Sequence, residues 1–554
     1  MRILMMTAEL RDLVSIGGLA EAVASLATAL HSDGHDVRIA LPYYTYIQRN
    51  YLKQRSPKLV WEGDLQPGAL PEGEVYRVNY QWKHTQLPLY LMRGHPWFDQ
   101  ADTLDHVYPP PNAPQPYFFF AAATLQFLAD TGTDWTPDVI HCHDYHAGLL
   151  PVYLKTRYQG TLKNKKVATV FTIHNLAYQG RTDSKILRYG GLPESLAEYQ
   201  PDLSGMEYYG DVNCLKGALV YADICTTVSN TYTQEIQSES YGEGLDGVLR
   251  ALANHDRLIG IVNGIDHYQW NPQNLGQLSY GTSHLSTKDR IKQLVRLMTG
   301  LELSPDPVIA IRSRWGYQKG WDFIVNALKK HTLYNLAQFL IVTRGQSQTN
   351  SKYRELWNEL KTLAHTHEHR IALISNDNPV SYLQYAGSDM LLMPSMYEPC
   401  GLTQMEAMRY GVIPVARKTG GIADTVDNRC GFLFDWEPQP PLDEKQIITG
   451  TRMMTATLIR ALEHYRTPEI WHRLRRNAMG RQNSWTDRIP EYEQVYQAAL
   501  SSHGETRSDA FVTPVVKKYT RAFNGSPVLL PYAEFPMPIP EKGVLWQSYH
   551  KQGG

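Results

Sequence analysis

Two hydrophobic patterns take turns along the chain. Short aliphatic and β-branched runs recur, and between them lie longer stretches with apolar residues three and four positions apart. The first pattern predicts buried strands and the second predicts amphipathic helices. RILMMT (residues 2–7) is the first run. A loop holding Gly17 and Gly18 comes next, then LAEAVASLATALHSDG at helical spacing, stopping at Gly34, then the run DVRIALP. Strand, glycine loop, helix and strand in that order make a βαβ unit. PDVIHC before AGLLPVYLKTRY repeats the theme, as do KVATVFTIH, ADICTTVS and LIGIVNG. Their polar residues gather at the C-terminal ends, where open α/β sheets place ligands.

A second series starts at VIAIRS and continues through QFLIVT, RIALIS, DMLLMP and VIPVARK, with helical stretches such as GWDFIVNALKKH and SKYRELWNELKTLAH between them. The segment from about 265 to 307 is polar and carries Asn271-Pro272 and Pro305 to Pro307, so it reads as a linker. DRIPEYEQVYQAALSSH reads as a closing helix. The C-terminal residues beyond it are rich in Pro and Tyr and are expected to wrap the surface as an extended tail. The expected architecture is α/β, with two Rossmann-like domains. Residues 1–272 form the N-terminal domain, 273–305 the linker and 306–485 the C-terminal domain. Residues 486–505 are the helix returning to the N-terminal domain and 506–554 the tail. No 20–50-residue repeat suggests a solenoid.

Length supports two domains: 554 residues exceed the roughly 250–300 at which one core stops growing. Lys+Arg (54) nearly balance Asp+Glu (55), so no global field recruits nucleic acid or an anionic membrane. The five cysteines, Cys142, Cys214, Cys225, Cys400 and Cys430, are odd in number and lack CxxC spacing. That pattern fits a reducing compartment, hence a cytoplasmic protein without a disulfide framework or zinc cluster. The opening MRILMMTAEL makes a poor signal peptide and a good strand, and no apolar run is long enough to span a membrane.

Candidate chemistry sits at the strand ends. Gly17-Gly18 precede a helix, so their backbone can approach an anion, and a plain tight turn has the same pattern. HCHDYH (residues 141–146) lies between strand and helix. Its His141, Asp144 and His146 suit metal ligation as in a hydrolase, hydrogen bonding to a sugar, or a satisfied core role, and spacing leaves all three open. His174 ends the next strand. In SRWGYQKG, Arg314 and Lys319 follow a strand and run into a helix, the composition of a diphosphate clamp. PSMYEPCGLTQMEAMRYG places Glu398 after another strand, at an expected helix start. Glu406, eight residues on, is expected on the same face, near a ribose.

FTIHNLAYQG, LKGALVYAD, VNGID, SRxxxQKG, EPCGLTQ, AMRYG and RKTGGIADTV, in this order and spacing, with HxHDxHAGL, resemble the glycogen and starch synthases over roughly residues 1–500. The resemblance implies the GT-B fold, two Rossmann-like domains facing across a central cleft, with 1–272 the acceptor-side domain and 306–485 the nucleotide-sugar domain. It also implies retaining transfer of glucose from ADP-glucose, or UDP-glucose, to the non-reducing end of an α-1,4-glucan. It implies that Arg314 and Lys319 hold the leaving diphosphate. Glu398 holds glucose hydroxyls, with the backbone around Cys400, Gly401 and Leu402. Thr403 and the Gly18 amide reach phosphate. His174 lies near the glucose 6-hydroxyl, Asp144 in the central cleft and Asn263 on the sugar side. HxHDxH then becomes sugar-site scaffold, and neither a metal nor a cofactor is expected. Alternatives are a catalytically weak glucan-binding paralogue involved in priming, and a retaining transferase with another donor or acceptor.

The chain departs from the family pattern on the nucleotide side. Ser15 stands where K-x-G-G-L-x-D has its lysine, and Glu21 replaces the aspartate. Asn376 stands where an aromatic would stack on adenine. Thr343-Arg344-Gly345-Gln346 replaces a G-x-G, with Arg344 a candidate substitute for the lysine charge. Glu406 replaces a Tyr or Ile.

Overall fold

The computed structural model describes residues 1–502 except 53–55, 66–67, 111, 132–134, 163–165, 202, 283–284, 345–350, 376–377 and 439–441. Asn376, Gly345, Gln346 and the expected tail 506–554 lie outside the described residues. The chain divides into two compact units. Among the described residues, one comprises Met1–Ile261 with Trp485–Ser502, and the other Val262–Ser484. The first crossing therefore falls at Ile261, not at residue 272.

The described residues of the first unit hold a nine-stranded sheet. Its order is Leu258–Gly260, Ile224–Thr227, Ala168–Ile173, Val139–His143, Arg2–Met6, Asp36–Pro42, Thr85–Arg93, Gly73–Trp82, Lys58–Gly63. The first seven run parallel and the last two close the sheet as an antiparallel meander. Ile3, Leu4, Met5 and Met6 are all buried, as a parallel strand covered on both faces requires. The helix Gly18–Ser32 stops because Gly34 takes φ +94°, a left-handed position that glycine accepts without strain. Strand order reverses at Arg2–Met6, so the loops after Met6 and His143 flank the switch point where such sheets bind ligands. The helix Ile489–Ser502 belongs to this unit. Its Tyr496 hydroxyl pairs with His141 Nδ1 at 3.0 Å and its Glu493 with His35 Nε2 at 3.0 Å.

The second unit has a parallel six-stranded sheet, in the order Ile371–Ser375, Gln338–Arg344, Val308–Arg314, Met390–Met393, Ile413–Arg417, Phe432–Phe434. Its order reverses between Val308–Arg314 and Met390–Met393, the two strands whose ends lead to Lys319 and Glu398. The expected linker is largely structured. Leu285–Thr299 is a helix whose Lys288, Lys292 and Arg296, four residues apart, are buried. Lys288 Nζ donates to the carbonyls of Tyr385 and Ala386 at 2.7 and 3.1 Å, and Arg296 Nε to Gln338 Oε1 at 2.7 Å. Lys292 Nζ meets the Asp389 carboxylate at 3.1 Å, and Arg475 Nη2 meets it at 2.5 Å. Charge usually marks solvent; here each cation finds a partner inside the unit. Among the described residues, no helix is long and apolar enough to cross a membrane.

Asp389 is fully buried between two cations and also accepts from the Val308 amide at 2.9 Å. Asp389→Asn is expected to destabilise the protein by about 3–5 kcal/mol, because two buried cations lose their anion. Glu359→Gln, which breaks the exposed Lys329 pair at 2.9 Å, should cost under about 1 kcal/mol. Denaturant unfolding of both variants decides, and equal midpoints would refute the contrast.

Candidate active site

In the second unit, two loops at the switch point are locked together by backbone contacts. Gly320, at φ +69°, lies so close to the Pro394 carbonyl that a Cβ there would sit 2.1 Å from that oxygen. The Met396 amide donates to the Gln318 carbonyl at 2.8 Å, and Gln318 Nε2 donates to that of Tyr397 at 3.3 Å. This brings Lys319 Nζ to Glu398 Oε2 at 2.5 Å, and Ser395 Oγ donates to the same oxygen at 3.1 Å. Lys319, Ser395 and Thr403 line one small recess with Arg312 and Ser313. Arg314 ends its strand exposed, outside that lining.

The Glu398 loop is braced from behind. Arg417 Nε donates to the Ser395 carbonyl at 2.7 Å, and its Nη2 donates to that of Met396. A Cβ on Gly420 would meet the Glu398 carbonyl at 1.9 Å, and one on Gly421 the Cys400 carbonyl at 2.2 Å, so both positions require glycine. The Gly421 amide donates to the Glu398 carbonyl at 3.1 Å. Gln404 Nε2 holds the carbonyls of Cys400 and Gly401 at 3.2 and 2.6 Å. Since trans peptides point N–H and C=O oppositely, the amides of Gly401 and Leu402 are turned away from Gln404. Ser395, Arg417, Gly420 and Gly421 went unassigned in the sequence; the signal available for the glycines was the GG following Thr419.

Two expectations need correction here. Glu398 is not at a helix start: the helix is Thr403–Arg409, and Glu398 lies in the irregular segment before it. The helical spacing that put Glu406 on the same face therefore does not apply; Glu406 lies within that helix, half-buried, and its Oε2 accepts from the Tyr385 hydroxyl at 3.1 Å. Asn263 is buried, its Oδ1 has no hydrogen-bond partner, and it is outside the recess lining. Cys400 is buried as well.

In the first unit, Glu9 organises the glycine loop. Its Oε2 accepts from the amides of Ile16 and Gly17 at 2.8 and 2.9 Å, and its Oε1 accepts from the Tyr108 hydroxyl. The Gly17 amide is therefore taken, which leaves Gly18, the first helical residue, as the glycine with an uncommitted role. Arg11 meets Glu21 at 3.0 Å, so a cation does stand beside the first turns of that helix although Ser15 carries none.

Asp144 sits at φ +56°, a left-handed backbone that is uncommon outside glycine. Its Oδ1 accepts from the amides of His174 and Asn175 at 2.7 and 3.4 Å, which fastens the two strand-end loops together. His143 Nδ1 lies 3.0 Å from His174 Nε2. His141 Nε2 lies 2.6 Å from Thr172 Oγ1. The His146 ring stacks on Tyr108 at 4.8 Å. Burial, with His174 adding repulsion, holds His141 and His146 down at about 3, and burial alone does so for His174. Burial pushes the Asp144 carboxyl up to about 7, against the two amides that pull it down. The ligand atoms of HCHDYH do not converge. Among the described residues, the group of three such atoms within 4.8 Å of one another is Asp33, His35 and Glu493.

The first unit matches the starch synthase catalytic domain over residues 2–251, and the second matches glycosyl transferases group 1 over residues 300–441. Two Rossmann-like units with these matches make the chain a glycosyltransferase of the GT-B fold class. It is 34% identical over 524 residues to the glycogen synthase of Desulforudis audaxviator, covering 92% of this chain and 98% of that one. Glycogen synthase 2 of Geobacter sulfurreducens is 36% identical over 519 residues, covering 91% and 99%. A solved structure of the starch synthase IV catalytic domain from Arabidopsis thaliana, bound to ADP and acarbose, superposes with a TM-score of 0.73. It is 29% identical and covers 90% of this chain and 99% of that one. The chain belongs to the glycogen and starch synthase family.

The raised Asp144 has a consequence for stability. A folded-state value above the ordinary one means that the folded unit holds the proton more tightly. The stability this contributes is full below about pH 4 and is lost as pH rises to about 7. Asn tolerates the same backbone conformation and keeps one acceptor. Asp144→Asn should therefore gain in melting temperature over the parent protein as pH rises from about 4 to 8. Parallel melting curves against pH would refute the assignment.

Proposed function

We propose that the protein moves glucose from ADP-glucose to the non-reducing end of an α-1,4-glucan, with retention at the anomeric carbon. The observation that carries this reading is the Lys319–Glu398 pair, set beside Ser395 and Thr403 in a chain that matches glycogen synthases over nearly their whole length. ADP, bound in the Arabidopsis structure, supports the adenine nucleotide over UDP. The five cysteines are free, in keeping with a cytoplasmic setting.

In this reading Arg314 and Lys319 hold the departing diphosphate, with Thr403 and the Gly18 amide on its phosphates. Glu398 and the amides of Gly401 and Leu402, beside Cys400, hold glucose hydroxyls. His174 takes the 6-hydroxyl, Asp144 keeps its loop in place, Asn263 lines the sugar side and Glu406 the ribose. The bond from the anomeric carbon to the diphosphate oxygen breaks as the acceptor oxygen bonds on the same face. The acceptor proton passes to the departing phosphate oxygen. No covalent enzyme intermediate forms, so the protein contributes orientation and charge. Lys319 is already paired with Glu398, which fixes its ammonium in place before the donor arrives; little reorganisation is then left for the reaction itself.

The test is incubation with ADP-glucose or UDP-glucose, with and without glycogen, following released nucleotide and glucan length. Release and lengthening with ADP-glucose are expected. Use of UDP-glucose alone would overturn the donor assignment, and inertness towards both would overturn the reading. Arg314→Ala and Lys319→Ala should each lower kcat by roughly 100- to 1,000-fold while the protein stays folded, the cost of removing one stabiliser of developing charge. Unchanged kcat in both removes the clamp. EDTA should leave the rate unaltered, because the two side chains provide the positive charge. Activity lost to EDTA and restored by a divalent ion would contradict that division of work.

A further inference from the structure

His143 has no role in the reaction just described, yet its placement is specific. It is 1% exposed, packed against the His141 ring at 4.1 Å, with its Nδ1 3.0 Å from His174 Nε2. Its Nε2 is buried and has no partner. Two neutral imidazoles at this distance share one proton, so one ring donates and the other accepts. If His174 donated from Nε2, the His143 proton would sit on Nε2 as a buried N–H without an acceptor. If His143 donates from Nδ1, only a lone pair is left bare. Orphaned buried N–H groups are the rarer of the two. The second arrangement therefore prevails, and it leaves His174 with its own proton on Nδ1. His174 is half-buried, and its backbone is fixed independently by Asp144.

We propose that His143 is a positioning residue for glucosyl transfer: by donating from Nδ1 to His174 Nε2 it fixes His174 as the Nδ1–H tautomer, which then donates to the oxygen of the donor sugar's 6-hydroxyl. This rests on the glucosyltransferase reading above. His141 supports the arrangement from the other side. Its two nitrogens are engaged by Tyr496 and Thr172, so it offers His143 a fixed ring face and no competing hydrogen bond.

The test compares the parent protein, His143→Phe and His143→Asn, with ADP-glucose and its 6-deoxy analogue as donors. Phe keeps a planar ring and removes the donor, whereas the Asn amide restores an N–H near the position of Nδ1. In the parent, the 6-deoxy donor should lose about three- to tenfold in kcat/KM, the range of a neutral hydrogen bond. His143→Phe should lose a similar factor with ADP-glucose and show little further loss with the analogue. His143→Asn should recover most of both. A merely structural role predicts instead an unchanged 6-deoxy penalty in every variant, and that result overturns the proposal. Histidine-selective ¹⁵N spectra of the full chain supply a readout that does not require turnover. His174 Nδ1 should be protonated in the parent and in His143→Asn, and should become a tautomeric mixture in His143→Phe. A parent protein that fails to transfer glucose would defeat the glucosyltransferase reading, while the spectra still decide whether His143 sets the tautomer. A His174 protonated on Nε2 in the parent would end the proposal outright.

Discussion

The contact on which the second unit's ligand face depends is the one between the Gly320 α-carbon and the Pro394 carbonyl. Two neighbouring parallel strands end side by side, and their loops must diverge there to open a crevice. A side chain at residue 320 would push them further apart. Without one, the loops approach until Gln318 exchanges hydrogen bonds with Met396 and Tyr397, and Lys319 reaches Glu398. The rest of the loop scaffold maintains that distance. Arg417 pulls on the carbonyls before Glu398, and Gly420 and Gly421 abut those after it. A short ion pair held at both ends by backbone has lost its freedom before any ligand arrives, which is how preorganised charge differs from a surface salt bridge.

The first unit reaches rigidity by other means. Its loops also leave adjacent strands at a switch point, but the fastening groups are a carboxylate on two amides and a pair of imidazoles. Asp144 occupies a strained backbone conformation so that one oxygen serves the neighbouring loop. Glu9 does the equivalent for the glycine loop. In each unit an acidic side chain placed just after a strand organises a loop, with a cation as its partner in one case and amides in the other.

Much of this arrangement was legible in the sequence. The strands of both series lie where short apolar runs put them, because parallel strands buried on both faces leave a strong and simple pattern. Lys319 and Glu398 could be grouped because loops after strands carry the chemistry in such folds, and Thr403 joined them through the family resemblance. The helix Leu285–Thr299 was missed for a definite reason. Its inward face includes Lys288, Lys292 and Arg296, so its charge suggested solvent, although their four-residue spacing was itself a helical signal. The spacing argument for Glu406 failed because eight residues were counted along a helix that begins only at Thr403. The bracing by Gly420 and Gly421 is a tertiary contact with the loop around Glu398; the GG after Thr419 marks the two glycines, and no local pattern encodes what they touch.

The two sets of groups differ most in charge, and the difference suits the proposed reaction. The recess around Lys319 pairs opposite charges, and a departing diphosphate would add negative charge beside its ammonium. Burial keeps the histidines around His174 unprotonated, and it holds the Asp144 carboxyl up to about 7. Neutral groups can orient sugar hydroxyls by hydrogen bonds without anchoring the ground-state phosphate. An imidazolium has no lone pair left to accept a hydrogen bond, so a protonated His174 could not accept from His143. Desolvation of the histidines therefore serves their pairing as well as their packing: it leaves each ring one nitrogen that donates and one that accepts.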